Sequence, residues 1–207
     1  INHSLSPELH NYWINQNAVN AFYDKKKLNE NELQNLILDI RQQIISGVNV
    51  TVPFKNVVIP YLDHLTNEAK ITQSVNTIYL DGKKVTGHNT DIEGFENAIK
   101  RTNFNFKNKK IFILGAGGVV PSIIYASMKM KSSEIFISNR TKEKAEKIKN
   151  IFDNIKLIEW GDMPNFDVII NATSLGLDRK DKLNLNFTQV GKNKLFYDVI
   201  YNPGETN

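Results

Sequence analysis

Short polar side chains, one lysine and one aspartate stand in the N-terminal half wherever a strand should end or a helix should begin. Ser4 and Ser6 flank a helix start, and Asn49 and Thr51 precede Pro53-Phe54-Lys55. Asn76 sits in Val75-Asn76-Thr77, and Asn89-Thr90-Asp91 leads into a further helix. Open α/β sheets place ligands outside the carboxyl ends of their strands. Hydroxyls, amides, one ammonium and one carboxylate suit a polyhydroxylated carboxylic acid, and serines beside a helix N-terminus are placed to take its carboxylate. Each residue also has a plainer reading. Ser6 caps a helix, Asn76 closes a turn, Lys55 is exposed and Asp91 caps the helix after it; taken singly, most of them favour that reading.

A second constellation lies in Ile111-Phe112-Ile113-Leu114-Gly115-Ala116-Gly117-Gly118, an apolar strand running through glycines into a helix. The first glycine permits the tight turn, and the second lets the backbone approach a pyrophosphate that the helix N-terminus attracts. Where G-x-G-x-x-G has its third glycine this chain has Val120, with Gly118 displaced toward the turn. The surrounding strand, helix and next strand favour dinucleotide binding over a bare turn. The following strand ends in Ser138-Asn139-Arg140-Thr141, with no Asp or Glu for a ribose 2′-hydroxyl. Arg140 suits a 2′-phosphate bidentately, and Thr141 suits either that site or the N-cap of the next helix. The cofactor expected is NADP.

The elements that must position these residues are readable from periodicity. Ser6-Pro7 reads as an N-cap followed by a first-turn proline. Asn29 and Glu32 form a capping box ahead of Leu33, Leu36, Ile37, Ile40 and Ile44, which share one helical face, and Gly47 follows as a stop. Val48–Val52 reads as a strand, and Thr77–Leu80, Asp81-Gly82 and Lys83–Thr86 as a hairpin with a two-residue turn. A helix follows Asp91, with Ile92, Phe95 and Ile99 on one side. From Lys110 strands and helices alternate: strands 111–114, 134–138, 167–170 and 195–200, with helices 119–130 and 142–152. This is an α/β chain of two domains with a cleft between them, residues 1–101 binding substrate and residues 102–207 forming a Rossmann-type dinucleotide domain.

Composition narrows the function classes. The chain has 207 residues, 41% hydrophobic, enough for a substantial core. No apolar run is long enough for a transmembrane helix, and the start lacks the pattern of a retained secretory signal. There is no cysteine, which excludes disulfides and thiolate catalysis and fits a cytoplasmic protein. The net charge of +4 is carried largely by short lysine runs, Lys25–Lys27 and Lys107–Lys110, which read as solvated surface rather than a nucleic-acid stripe. The four histidines form no ligand-spaced cluster, so no metal is expected.

His3-Ser4-Leu5-Ser6-Pro7, Asn49-Val50-Thr51-Val52-Pro53-Phe54-Lys55, Val75-Asn76-Thr77 and Gly87-His88-Asn89-Thr90-Asp91-Ile92-Glu93-Gly94-Phe95 closely resemble successive signatures of shikimate dehydrogenases. Gly115-Ala116-Gly117-Gly118, Asn139-Arg140-Thr141, Asn171-Ala172-Thr173-Ser174-Leu175-Gly176 and Tyr197-Asp198-Val199-Ile200-Tyr201-Asn202-Pro203 continue the match in family order. The resemblance implies reversible, NADPH-dependent reduction of 3-dehydroshikimate to shikimate, by a monomer or homodimer whose partners are small molecules rather than nucleic acid or membrane. It implies that Ser4 and Ser6 contact the substrate carboxylate. Asn49 joins the substrate site, and Thr51, Lys55, Asn76, Asp91 and Tyr201 contact the ring hydroxyls or the carboxylate side. Lys55 and Asp91 match the catalytic pair. Gly115, Ala116, Gly117, Gly118 and Val119 match the pyrophosphate turn, Asn139, Arg140 and Thr141 the adenosine phosphate site, and Thr173 and Ser174 a segment passing near the cofactor. Several positions depart from the family pattern. Ser74 replaces its usual alanine, Val119-Val120-Pro121 replaces smaller residues, and a strand before His3 and returning helices after Asn207 are expected outside this sequence.

Overall fold

The computed structural model describes residues 4–176, 185–188 and 190–200. Two sheets organise them. The first has four strands: β1 (Gly47–Asn49), β2 (His64–Leu65), β3 (Thr77–Asp81) and β4 (Lys84–His88), in the order β1-β3-β4-β2. β3 lies antiparallel to β1 and β4, and β2 lies parallel to β4. The second has five parallel strands: β5 (Lys110–Leu114), β6 (Glu134–Ser138), β7 (Lys156–Leu157), β8 (Val168–Asn171) and β9 (Leu195–Asp198), in the order β7-β6-β5-β8-β9. The order reverses at β5, so a crevice opens at the carboxyl end of that strand, where α/β sheets bind nucleotides.

Helix α1 (Ser6–Gln16) has Pro7 in its first turn, as expected, but Ser6 is its first residue rather than its cap. Leu5 precedes it, and the Ser4 hydroxyl accepts the Ser6 N–H at 3.3 Å. Helix α2 (Leu33–Arg41) follows a 3₁₀ turn at which the Glu32 carboxylate accepts the Asn29 N–H at 2.7 Å. Leu33, Leu36, Ile37 and Ile40 are buried with Ile78 and Val85 of the first sheet and Val75 just before β3. Ile44 is not part of that face: the helix ends at Arg41, Gln43 takes φ +60, and Ile44 is 68% exposed. The stop is therefore this left-handed residue, ahead of Gly47. The strand expected over residues 48–52 ends at Asn49, because Thr51 opens a turn whose carbonyl accepts the Phe54 N–H. The hairpin is present with its turn one residue later. Asp81 pairs with Lys84 and stays in the ladder, and the positive φ, +59, falls on Gly82 as first loop residue. Helix α3 (Asn67–Thr72), capped by the Thr66 hydroxyl, was not anticipated.

In the second sheet the period-two alternation of β5 supplies two cores at once. Ile111 and Ile113 pack with α5 (Val120–Lys129), while Phe112 and Leu114 pack with Phe136, Phe166 and Ile169 on the other face. Helix α4 (Asp91–Arg101) starts from the first sheet, yet its buried residues Ile92, Phe95 and Ile99 belong to the same cluster as Ile111, Ile113 and Ile123. Helix α6 (Lys142–Lys149) closes the β6–β7 crossover. Among the described residues no helix is long and apolar enough to cross a membrane.

Glu134 ties three parallel strands together, 2.7 Å from Lys110 and 2.6 Å from Lys156. Its hydrogen bonds to those ammonium groups push its carboxyl from 4.5 down to about 2. A lowered folded-state value adds stability above the ordinary carboxylate range and loses it as pH falls toward the folded value. Thermal unfolding should therefore show Glu134→Gln below wild type near neutrality, with the gap closing as the pH falls from about 5 to about 2. A gap of constant size across that window would show that the bridge carries no such linkage.

Candidate active site

Lys55 and Asp91 meet at the carboxyl edge of the first sheet. Lys55 Nζ lies 2.5 Å from Asp91 Oδ2, and the two side chains keep only 14% and 21% of their surface. The sequence leaves both residues with an alternative as plain surface or capping groups; the structure joins them. Asp91 opens α4, where the helix N-terminus favours its negative charge. Its other oxygen accepts Asn76 Nδ2 at 2.9 Å, and its N–H donates to Asn89 Oδ1 at 3.0 Å. Asn76 is held in turn, its Oδ1 accepting the Thr90 N–H at 3.0 Å and the Thr77 hydroxyl at 3.0 Å. The loop that carries Lys55 is pinned because Val75 N–H donates to the Lys55 carbonyl at 2.7 Å. The ammonium is thus presented by a rigid frame rather than by a free side chain.

Asn49 and Thr51 lie at the exposed rim of the same edge. Asn49 Oδ1 accepts the Tyr23 hydroxyl at 2.9 Å, and Asn49 Nδ2 donates to Thr77 Oγ1 at 3.3 Å. Burial raises the Tyr23 phenol above the ordinary value, and the neighbouring Ser6 side chain works against that rise. Ser6, Tyr23 and Asn49 are therefore neighbours on this rim. Tyr23 is the residue that sequence reasoning missed. It lies in an irregular segment without periodicity, held by a pair of hydrogen bonds with the Asn11 side chain and stacked on His10. Nothing in its spacing marks it.

The glycine turn faces this group across the crevice. Gly115 takes φ +110, and a Cβ there would stand 2.6 Å from the Ala172 carbonyl oxygen, so a side chain is excluded on both counts. A Cβ on Gly117 would meet only that oxygen at 3.9 Å, leaving the backbone open to a close ligand. A Cβ on Gly118 would lie 3.5 Å from Lys55 Cδ, which places the turn directly beside the ammonium stem. The turn then enters α5, with Ala116 and Val119 half-buried beneath it. These features fit a dinucleotide pyrophosphate at a helix N-terminus.

Parallel register sets the remaining cofactor candidates on either side. Leu114 pairs with Ser138, and Gly115 N–H donates to the Ser138 carbonyl at 2.8 Å, so Asn139, Arg140 and Thr141 leave the sheet beside the turn. Arg140 is exposed, and Asn139 Nδ2 holds the Thr141 carbonyl at 2.7 Å. Thr141 occupies the N-cap position of α6 without a side-chain cap bond. On the opposite side Leu114 pairs with Asn171, and Thr173 follows with its hydroxyl on Asn171 Oδ1 at 2.7 Å. Ser174 is exposed beyond it. Tyr201 lies outside the described residues, as does His3. The described residues hold no cluster of acidic and imidazole groups able to bind a metal ion.

Two family models cover the chain. Residues 1–78 match the shikimate dehydrogenase substrate binding domain, and residues 96–199 match shikimate / quinate 5-dehydrogenase. The shikimate dehydrogenase (NADP(+)) of Pelagibacter ubique is 54% identical over 207 residues, covering 100% of this chain and 78% of that protein. The chain belongs to the shikimate dehydrogenase family. A shikimate 5-dehydrogenase from Listeria monocytogenes, solved with shikimate and NAD, superposes with a TM-score of 0.90 at 28% identity, covering 100% of this chain and 78% of its own. Another shikimate dehydrogenase, solved with NADP⁺, gives a TM-score of 0.89 at 31% identity, covering 99% of this chain and 75% of its own. The family's two-domain α/β architecture, a substrate-binding domain followed by an NADP-binding Rossmann-like domain, is that of this chain.

Gly115 is where the fold and the cofactor site make the same demand. Gly115→Ala should cost about 1–3 kcal/mol of stability, the scale of a residue forced into an unfavourable backbone region. Urea unfolding would measure that loss, and dinucleotide titration should show weaker binding in the same variant. Wild-type values in both would mean that the turn relaxes freely.

Proposed function

We propose that this chain interconverts 3-dehydroshikimate and shikimate with NADPH, using Lys55 as the proton donor and Asp91 as its partner. The reaction is the shikimate-pathway step of the family, an NADP-dependent oxidation or reduction at a CH–OH carbon. The observation that carries the residue assignment is the Lys55–Asp91 pair beside Gly118. A proton donor and the cofactor turn border one crevice, as a ketone reduction requires.

NADPH supplies the hydride when bound. Lys55 delivers a proton to the oxygen on which charge develops, and Asp91 orients the ammonium and balances its charge. In the reverse direction neutral Lys55 takes the hydroxyl proton. Asn76 holds Asp91 Oδ1, so the carboxylate keeps Oδ2 toward Lys55 throughout. Ser4, Ser6 and Asn49 take the substrate carboxylate, with Tyr23 beside Ser6 and Asn49. Thr51, Asn76 and Tyr201 serve the ring hydroxyls. Gly115 to Val119 take the pyrophosphate at the start of α5, Thr173 and Ser174 border the cofactor, and Asn139, Arg140 and Thr141 take the 2′-phosphate side. We divide the substrate and cofactor domains at Thr102, and place the enzyme in the cytoplasm as a monomer or homodimer.

Lys55→Ala should lower kcat by about two orders of magnitude, the scale of a general acid, with a smaller change in KM. Steady-state rates followed by NADPH absorbance test this, and near-wild-type turnover removes Lys55 from the role. Arg140→Ala should weaken NADP binding by about 1.5–3 kcal/mol, the range for a charged hydrogen bond, and leave NAD nearly unchanged. Equal losses for both cofactors would mean that Arg140 does not read the 2′-phosphate.

A further inference from the structure

The halves of the crevice are joined by hydrogen bonds that the reaction itself does not need. Ser74 is buried, and its hydroxyl donates to the Gly118 carbonyl at 3.0 Å. Its own carbonyl accepts Asn89 Nδ2 at 3.0 Å. Asn89, 1% exposed, also brings Nδ2 to 2.9 Å from Ser122 Oγ on α5, and its Oδ1 accepts the Asp91 N–H. The residue after Ser74, Val75, holds the Lys55 carbonyl. Ser74 therefore touches the cofactor turn through its side chain, the Asp91 support through its carbonyl and the Lys55 loop through the next peptide.

We propose that Ser74 is a positioning residue that holds the Gly118 turn in register with the Lys55–Asp91 pair, so that hydride donor and proton donor reach the substrate together. The proposal rests on the reading of this crevice as the site of NADPH-dependent ketone reduction. Two features support it. The bond spans 44 positions and its Ser74 end is buried, so removing the hydroxyl takes away an enclosed donor that no nearby side chain replaces. It also acts on the carbonyl of the turn itself, where a small displacement moves the dinucleotide relative to Lys55. Ser122, a turn further along α5, adds a second tie through Asn89, so the attachment resists rotation as well as separation.

The test compares two substitutions that each remove one buried hydroxyl. Ser74→Ala cuts the tie across the crevice. Ser127→Ala cuts only a bond within α5, where the Ser127 hydroxyl donates to the Ile123 carbonyl at 2.7 Å. Both should lower the melting temperature slightly. Ser74→Ala alone should lower kcat and raise the NADP dissociation constant, each by about three- to tenfold, the effect of one hydrogen bond. It should also enlarge the primary isotope effect with NADPH deuterated at the transferred position, because hydride transfer becomes slower than the other steps. The shikimate dissociation constant should stay at the wild-type value, since the bond that is lost acts on the Gly118 carbonyl of the cofactor turn and the backbone ties of Ser74 and Val75 remain. Wild-type kcat, NADP affinity and isotope effect in Ser74→Ala would overturn the proposal, and so would equal losses in the Ser127→Ala control. Failure of the wild-type protein to reduce 3-dehydroshikimate would instead count against the reading of the crevice, and NADP titration of the two variants would still decide the role of Ser74.

Discussion

The rest of the crevice depends on the Asp91 carboxylate and on the groups that hold it. Asp91 begins a helix, accepts an amide from the residue that leads into β3, pairs with a lysine from a loop and has its own N–H taken by a buried asparagine. A carboxylate so enclosed is costly to desolvate and is stable only if its lone pairs are met. Here they are met by groups from separate segments of chain. The position of each of those segments is consequently fixed by one charge. Because α4 then runs into the apolar cluster of the second sheet, the same charge also fixes where that helix enters the neighbouring core.

The second sheet imposes its own constraint by register. Leu114 is paired on both sides, with Ser138 and with Asn171. The segments after all three residues must leave the sheet at the same level. The glycine turn, the Arg140 segment and the Thr173 segment are neighbours for that reason alone, although they are distant in sequence. Gly115 is the point at which this arrangement is tightest, since its backbone lies against the Ala172 carbonyl.

Much of this was legible in the chain. Sustained alternation marked β5, β6 and α5, and the glycines marked the turn between them. Lys55 and Asp91 stood out as chemistry-bearing residues, but their 2.5 Å pairing spans 36 positions and no local pattern encodes it. Local signals failed where several residues competed for one role. Asp81-Gly82 reads as a hairpin loop, yet the ladder keeps Asp81 and gives the loop to Gly82 and Lys83. Gly47 reads as a helix stop, while Gln43 supplies the left-handed residue sooner. Tyr23 was invisible because its place is set by Asn11 and His10, contacts that belong to tertiary packing rather than to any repeat. The two-residue strands β2 and β7 are too short to show a period.

Helix α4 has one end in the polar frame of the first sheet and its apolar face in the core of the second. Its residues therefore cannot melt with either sheet alone. Losing the second core frees Ile92, Phe95 and Ile99 and loosens the grip on Asp91; losing the first sheet releases Asp91 and lets the helix fray from its start. Such shared membership turns two potential foldons into one cooperative unit, in which partial opening at one sheet raises the free energy of the other. The crevice thus lies where the two sheets are coupled through α4, and opening that helix disturbs both halves.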